Sequence, residues 1–131
     1  MTTVGEVMTQ QPHCIAADTS IAEAYRLMAD KKCHHLPVLE DGRLVGLVSE
    51  RDLLRLKWSA NVFKIDMEHD PVGVVMSVSL FCVPPETPLP LVAGQMRDRR
   101  IGSAVVVSEG RVVGIFTTSD ALAVLAAPSR S

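Results

Sequence analysis

The chain has 131 residues, of which 47% are apolar and 21% charged, and its formal net charge is −2. These values allow one globular domain or two small halves packed together. They exclude the basic face that non-specific nucleic-acid binding requires. No apolar run approaches the roughly 20 residues of a membrane-spanning helix, so neither nucleic acid nor a membrane is an expected partner.

The first predicted elements are a short strand and an amphipathic helix. An apolar run at 14–16 predicts the strand. Ser20 and Glu23 have the spacing of a capping box, which marks the start of a helix. An i, i+3, i+7 stripe predicts the buried face of this helix, namely Ile21, Ala24 and Met28.

A β-hairpin and a second helix follow. The hairpin is predicted from HLPVLEDGRLVGLV at 35–48, with Asp41-Gly42 at its turn. Because proline lacks an N–H, the ladder is expected to begin after Pro37 or to bulge there. The helix is expected from Ser49 to about Lys57. Segment 58–71 is expected to be a linker of no assigned structure that packs on the body through Trp58, Val62, Phe63, Ile65 and Met67.

The second half repeats the first at an offset of 68 residues, without a gap. VGVVM at 72–76 matches VGEVM at 4–8, and EGRVVG at 109–114 matches DGRLVG at 41–46. The same β-α-β-β-α order is therefore predicted. A strand is expected at 81–83. It is followed by a helix that Thr87 can cap, with Pro88 at its first position and a buried stripe of Leu89, Val92 and Met96. A hairpin turning at Glu109-Gly110 and a helix from Thr117 to about Ala126 complete the repeat.

One signature occurs in both halves, as GLVSERD at 46–52 and GIFTTSD at 114–120. Its hydroxyl and carboxylate have the spacing of a helix N-cap. There the hydroxyl accepts a backbone N–H, and the carboxylate favours the positive end of the helix dipole. Capping alone is therefore one sufficient explanation of the signature.

The surroundings of the signature also suit a nucleoside phosphate. Gly46 and Gly114 precede the two helices, where a missing side chain would let a ligand approach the backbone closely. Helix N-termini attract anions, and a carboxylate one turn in can accept both hydroxyls of a ribose. The residues by themselves leave capping and ligand binding open.

Over nearly its whole length the chain resembles a tandem pair of CBS domains, known as a Bateman module. The resemblance is strongest in HLPVLEDGRLVGLVSERDLL at 35–54 and IGSAVVVSEGRVVGIFTTSDAL at 101–122. It implies an α+β fold with two β-α-β-β-α CBS motifs, 1–57 and 72–131, joined by a linker at 58–71 and packed about a pseudo-twofold axis. It also implies a regulatory, energy-sensing module that binds AMP, ADP, ATP, NAD or S-adenosylmethionine in clefts between the motifs and signals to a partner.

The resemblance assigns roles to individual residues. The ribose-holding aspartates would be Asp52 and Asp120, and the hydroxyls that contact ribose or phosphate would be Ser49 and Thr117. Arg51 adds a charge able to reach phosphate, whereas Thr118-Ser119 adds none. The implied nucleotide-binding residues are Ser49, Arg51, Asp52, Thr117, Ser119 and Asp120. The implied adenine pocket is Cys14, Ile15, Ala16, Leu36, Pro37, Cys82, Val83, Pro84, Ala104 and Val105.

Catalysis and metal binding are not favoured. The chain contains no P-loop, no G-x-G-x-x-G after a strand and no G-x-S-x-G, so neither enzymatic activity nor a cofactor is expected. The CHH run at 33–35, with His13 and His69, offers metal-ligand side chains. Since successive strand residues point to opposite faces, His34 would point away from its two neighbours, and a structural role is favoured.

A docking module that binds no ligand remains the alternative. The family resemblance suggests a homodimer, and an apolar stripe at the end of the last helix, Leu122, Leu125 and Ala126, would serve such contacts. Three cysteines without CxxC spacing favour a reducing compartment, and the N-terminus is too polar for a signal peptide. A cytoplasmic protein is therefore expected, and the protein that it regulates is unknown.

Overall fold

The computed structural model describes residues 1–128, with the side chains of residues 60–63 excepted. The chain divides into two compact units. The first unit is His13–Leu80, and the second unit combines Met1–Pro12 with the described residues from Phe81 onward. Along the chain the elements are α1 (Val4–Val7), β1 (Thr9–Gln10), β2 (Ile15–Ala16), α2 (Ile21–Lys31), β3 (His35–Glu40), β4 (Arg43–Ser49), α3 (Glu50–Phe63), a 3-10 turn (Val72–Val74), β5 (Cys82–Val83), α4 (Leu89–Arg99), β6 (Ser103–Ser108), β7 (Arg111–Thr117) and α5 (Thr118–Ala126).

Each unit contains one sheet. The first has the strand order β2-β3-β4, and the second has the order β1-β7-β6-β5. In both, the short strand before the helix pairs parallel with the first strand of the hairpin, as β2 with β3 and β5 with β6. The hairpin strands pair antiparallel. The predicted α+β fold with two β-α-β-β-α motifs is confirmed.

The helix stripes predicted from the sequence face the two cores. Ile21, Ala24 and Met28 of α2 are buried against β3, β4 and Leu53. In α4, Val92 and Met96 are buried, and Leu89 packs at the edge of the same cluster. Full burial of one such side chain contributes about 1.5–3 kcal/mol, so a narrow apolar stripe suffices to hold each helix on its sheet.

The hairpin turns have the conformation that their sequence predicts. Asp41 and Gly42 both have positive φ, 52° and 78°, and Glu109 and Gly110 repeat this at 52° and 77°. Two consecutive residues with positive φ define a type I′ turn, whose twist matches that of the flanking strands. The turn chemistry therefore fixes the register of both hairpins.

Pro37 does not delay or bulge its ladder, so this expectation was wrong. Pro37 pairs with Leu47 in register, and the irregularity lies one step later, between Val38 and Leu39. Leu47 exchanges both of its backbone hydrogen bonds with Ser77, so its pairing with Pro37 is of the type without hydrogen bonds. The missing N–H of Pro37 therefore costs the β3–β4 ladder nothing.

The start of α4 corrects the predicted cap. Pro88 rather than Thr87 occupies the N-cap position, and no side chain caps the helix. The hydroxyl of Thr87 donates instead to the carbonyl of Pro84 at 2.7 Å. The N–H of Leu89 is satisfied by the carbonyl of Thr2, at 2.9 Å. A backbone carbonyl from elsewhere in the chain thus replaces the side-chain cap.

The last helix of the first motif is longer than expected. It runs to Phe63 rather than to about Lys57, so the first part of the expected linker is helical. Trp58 is 88% exposed, which contradicts its predicted packing, whereas Ile65 and Met67 pack on the first core as expected. The side chains of Val62 and Phe63 lie outside the described ones.

The rest of the expected linker has a defined backbone. The N–H of Asp66 donates to Asp70 Oδ2 at 2.9 Å, which closes a tight loop. The carbonyls of Met67 and Asp70 accept the N–H groups of Ala22 and Ile21, at 2.7 and 3.0 Å. Because the first N–H groups of a helix have no partner within it, this loop completes the N-terminus of α2.

Each sequence repeat begins with a leading segment, which is 2–10 (containing VGEVM) in the first repeat and 70–77 (containing VGVVM) in the second. Each leading segment packs with the body of the other repeat. The first lies in the second unit and pairs Thr9 with Ile115. The second stays in the first unit and pairs Ser77 with Leu47. The backbone bonds repeat at the offset of 68: Val4 to Thr87, Gly5 to Pro85 and Leu89 to Thr2 in one unit, and Val72 to Thr19, Gly73 to Ala17 and Ile21 to Asp70 in the other. Each compact unit therefore combines the body of one sequence repeat with the leading segment of the other.

Candidate functional site

Both signatures lie where the last strand of a hairpin meets a helix. Ser49 ends β4 and Thr117 ends β7, while Asp52 and Asp120 lie in the first turns of α3 and α5. Ser49 Oγ accepts the N–H of Asp52 at 3.1 Å, and Thr117 Oγ1 accepts that of Asp120 at 3.3 Å. The capping interpretation is confirmed for both hydroxyls, and such a cap contributes about 1 kcal/mol.

The carboxylate of Asp120 is held by three further hydrogen bonds. Its Oδ2 accepts from the N–H and the hydroxyl of Thr117, at 2.9 and 3.1 Å. Its Oδ1 accepts from the hydroxyl of Thr9, at 3.1 Å, across 111 positions of the chain. Asp120 is half-buried. Sequence reasoning missed Thr9, because a single threonine in a leading segment carries no signal by itself.

The carboxylate of Asp52 has a different environment. Asp52 is exposed, and in the described part of the chain its carboxylate makes no hydrogen bond or ion pair. The residue equivalent to Thr9 at the offset of 68 is Ser77, which is also exposed. Among residues 1–128, Ser77 makes no hydrogen bond to the carboxylate of Asp52. Two matching sequence signatures therefore present one hydrogen-bonded carboxylate and one available carboxylate.

The residues between hydroxyl and aspartate also differ. In the first signature, Glu50 Oε2 lies 2.9 Å from His34 Nδ1, and Arg51 is exposed. In the second, Thr118 Oγ1 donates to the carbonyl of Gly102 at 3.4 Å, and Ser119 is exposed. Between hydroxyl and aspartate, the first signature therefore carries two charged residues, whereas the second carries two hydroxyls.

The glycines of the signatures do not leave room for a ligand, so this expectation was wrong. A β-carbon at Gly46 would overlap the thioether of Met76, and one at Gly114 would overlap that of Met8. Both glycines are buried within strands. The methionine of each leading segment occupies the space, which explains why VM and the glycine recur together in both repeats.

The residues expected to form the adenine pocket fall into two groups. Six are buried, namely Ile15, Leu36, Pro37, Val83, Ala104 and Val105. Four are half-buried or exposed, namely Cys14, Ala16, Cys82 and Pro84. Of the ten, the four of the second group therefore have the accessible surface that contact with an adenine ring would need.

Metal-ligand side chains do not converge. Within residues 1–128, no three side chains of His, Cys, Asp or Glu lie close enough together to hold a metal ion. Burial raises the pKa of Cys14, Cys33 and Cys82. A raised pKa disfavours the thiolate, which is the form of cysteine that acts as a nucleophile and a metal ligand.

Among residues 1–128, no helix combines the length and the apolar character that crossing a bilayer requires.

Two consecutive regions of the chain, residues 4–59 and 65–127, match the family model of the CBS domain. The chain belongs to the CBS domain family. The two matches form a tandem pair, as the sequence resemblance indicated, and the two β-α-β-β-α motifs of the structure are its two CBS domains.

Relatives of the CBS pair differ in length. The chain is 29% identical over 120 residues to the CBS domain-containing protein YhcV of Bacillus subtilis, a match that covers 92% of this chain and 83% of YhcV. It is 29% identical over 121 residues to homoserine O-acetyltransferase of Methanohalobium evestigatum, covering 91% of this chain but 23% of that protein. The chain thus spans about a quarter of the acetyltransferase.

Solved structures of CBS pairs share the fold. Over 95% of this chain and 96% of the other, CBSX2 in complex with AMP is 30% identical, with a TM-score of 0.80. The CBS pair of MJ0100, in complex with 5′-methylthioadenosine and S-adenosyl-L-methionine, is 25% identical, with a TM-score of 0.82, over 95% and 99% of the chains. Both of these pairs were solved with adenosine-containing ligands.

Proposed function

We propose that this CBS pair is a regulatory module that binds an adenosine-containing ligand at its signatures and passes the state of occupancy to a partner protein. The candidate ligands are AMP, ADP, ATP, NAD and S-adenosylmethionine. Supporting this, two CBS pairs similar over nearly their whole length were solved with AMP or with S-adenosylmethionine and 5′-methylthioadenosine. The module carries out no chemistry on the ligand.

The observation that carries the proposal is the carboxylate of Asp52. It is exposed at the start of a capped helix, with no internal partner among the described residues. An ionised carboxylate is an acceptor only, and its two oxygens match the two adjacent hydroxyls of a ribose. A cap needs the hydroxyl of Ser49, but it leaves this carboxylate unused.

The other residues of the signatures have secondary roles in the proposal. Arg51 is exposed one residue before Asp52 and supplies a guanidinium for phosphate. Ser49 caps α3 and lies beside the ribose or phosphate. In the second signature, Thr117, Ser119 and Asp120 take the corresponding roles, and the signature itself contains no cationic residue. The first signature is therefore the better phosphate site.

A thermal-shift screen tests the function. The wild type and the double variant Asp52→Asn/Asp120→Asn are heated with each of the five ligands. A ligand present at 100 times its dissociation constant should stabilise the wild type by about 2.7 kcal/mol. The double variant should lose this shift, whereas Asp30→Asn, which removes the same charge from an exposed position of α2, should keep it. If no ligand at millimolar concentration shifts the wild type, ligand sensing is refuted.

The second candidate function is a docking or dimerisation module that needs no ligand. It is favoured by large apolar side chains exposed on two helices. Trp58 of α3 is 88% exposed, and Leu122 and Leu125 of α5 are 60% and 80% exposed. Light scattering at micromolar concentration tests self-association, since a homodimer has twice the 14.2 kDa mass of the chain. A monomer in solution would leave only docking to another protein.

A further inference from the structure

A hydroxyl from the leading segment of the first repeat already donates a hydrogen bond to the carboxylate of Asp120. Thr9 Oγ1 donates to Oδ1 at 3.1 Å, while Thr117 supplies two bonds to Oδ2. A carboxylate has about four acceptor sites, of which Thr117 uses two on Oδ2 and Thr9 uses one on Oδ1. A ribose diol that binds with both hydroxyls needs two sites, so it competes with one of these donors, and Thr9 is the exposed one.

The first signature carries no such contact. Its equivalent hydroxyl belongs to Ser77, whose backbone pairs with Leu47 just as the backbone of Thr9 pairs with Ile115. The main chain is thus placed alike in both units, yet among the described residues Ser77 does not bind Asp52. The contact between the leading segment and the carboxylate is therefore present at the second signature and absent, among the described residues, at the first.

We propose that Thr9 is an internal competitor for Asp120, which makes the second signature the weaker site for a vicinal diol. The proposal rests on the function proposed above, because it concerns the same ligand and the same aspartates. It adds a residue outside the signature that sets the order of affinities. Since the leading segment of the first repeat supplies Thr9, occupancy of the second site is coupled to that segment.

The size of the effect follows from the environment of the bond. A hydrogen bond to a charged group is stronger than a neutral one, but Thr9 is exposed, and solvent reduces the difference. Removing the competing hydroxyl should therefore tighten diol binding at Asp120 about three- to tenfold.

Calorimetric titration with AMP tests the competition. The background Asp52→Asn isolates the second site, and Thr9→Val is added to it because valine has the shape of threonine without its hydroxyl. The dissociation constant of the double variant should fall about three- to tenfold below that of Asp52→Asn alone. The matched control is Ser77→Ala in the background Asp120→Asn, which isolates the first site and should leave its affinity for AMP unchanged.

The possible results separate this inference from the proposed function. If AMP binds but Thr9→Val has no effect, the competition is refuted and the function stands. If Thr9→Val weakens binding, Thr9 contacts the ligand instead of competing with it, and the inference is overturned. If AMP binds to none of the variants, both are overturned for this ligand class.

A measurement without ligand tests the contact itself. Unfolding of Thr9→Val, Asp120→Ala and their double variant in urea gives the coupling between the two side chains. We expect a coupling of about three- to tenfold in the unfolding equilibrium constant, against none for the matched cycle of Ser77→Ala with Asp52→Ala. Equal coupling in the two cycles contradicts the proposed inequality of the signatures.

Discussion

Met8 packs directly over Gly114, and its thioether occupies the position that a β-carbon at residue 114 would need. The same relationship joins Met76 and Gly46 at the offset of 68 residues. A glycine of the signature thus serves to seat the leading segment rather than to admit a ligand.

Replacing Gly114 by alanine should destabilise the protein. The added methyl group must displace the side chain of Met8, and such overpacking costs about 1–3 kcal/mol. Urea unfolding of Gly114→Ala measures the loss. Shortening the methionine in the double variant Met8→Ala/Gly114→Ala should make the additional cost of the alanine small. If Gly114→Ala is as stable as the wild type, the contact is not tight.

Gly94 provides the opposite case. It lies in the interior of α4, and a β-carbon there meets nothing within 4 Å. Because glycine in a helix interior is less favourable than alanine by about 0.5–1 kcal/mol, Gly94→Ala should raise stability by about that amount. Thermal unfolding shows whether the melting temperature rises, and a lower melting temperature would contradict the open space around a β-carbon at residue 94.

The loop before the second repeat should show a pH-dependent contribution to stability. His69 Nδ1 lies 2.7 Å from Asp66 Oδ2. This hydrogen bond raises the pKa of His69 and lowers that of Asp66. The contribution of His69 is present below its unfolded-state pKa of about 6.5 and is lost as the pH rises through its higher folded-state value. That of Asp66 is present above about pH 3.9 and is lost as the pH falls through its lower folded-state value.

The pair should therefore stabilise the loop most between about pH 4 and 6.5. Urea unfolding of the wild type and His69→Gln at pH 5.5 and pH 8.5 tests this, and the difference should be larger at pH 5.5. In the background Asp66→Asn the same substitution should lose this pH dependence. A difference that grows toward pH 8.5 would have the wrong sign for the contact.

Local patterns predicted most of the fold. The alternation of apolar residues in the hairpins, the stripe of α2 and the Asp41-Gly42 turn each depend on neighbours in sequence, and the structure follows all three. The exchange of the leading segments could not be predicted in this way. Because the repeats share their pattern, Thr9 is as compatible in sequence with Leu47 as with Ile115, and only the folded chain decides between them.

The sequence predicted the candidate site only in part, because it shows local spacing but not tertiary contacts. Ser49 and Thr117 cap their helices as their spacing indicated. The inequality of Asp52 and Asp120 was not predicted, since the motifs match and both leading segments offer a hydroxyl, from Ser77 and Thr9. Whether such a hydroxyl reaches the carboxylate depends on tertiary geometry, which the sequence of the motif does not contain.

The central claim is that the free carboxylate of Asp52 binds the ribose of a nucleotide, and calorimetric titration of AMP into the wild type and Asp52→Asn tests it most directly. Loss of a charge-assisted contact costs roughly 1.5–3 kcal/mol, so Asp52→Asn should weaken the tighter binding event about ten- to a hundredfold. Its melting temperature should change little, because the cap depends on Ser49 and the backbone. If AMP binds and Asp52→Asn weakens it by less than threefold, the carboxylate does not hold the ligand, and the central claim is contradicted.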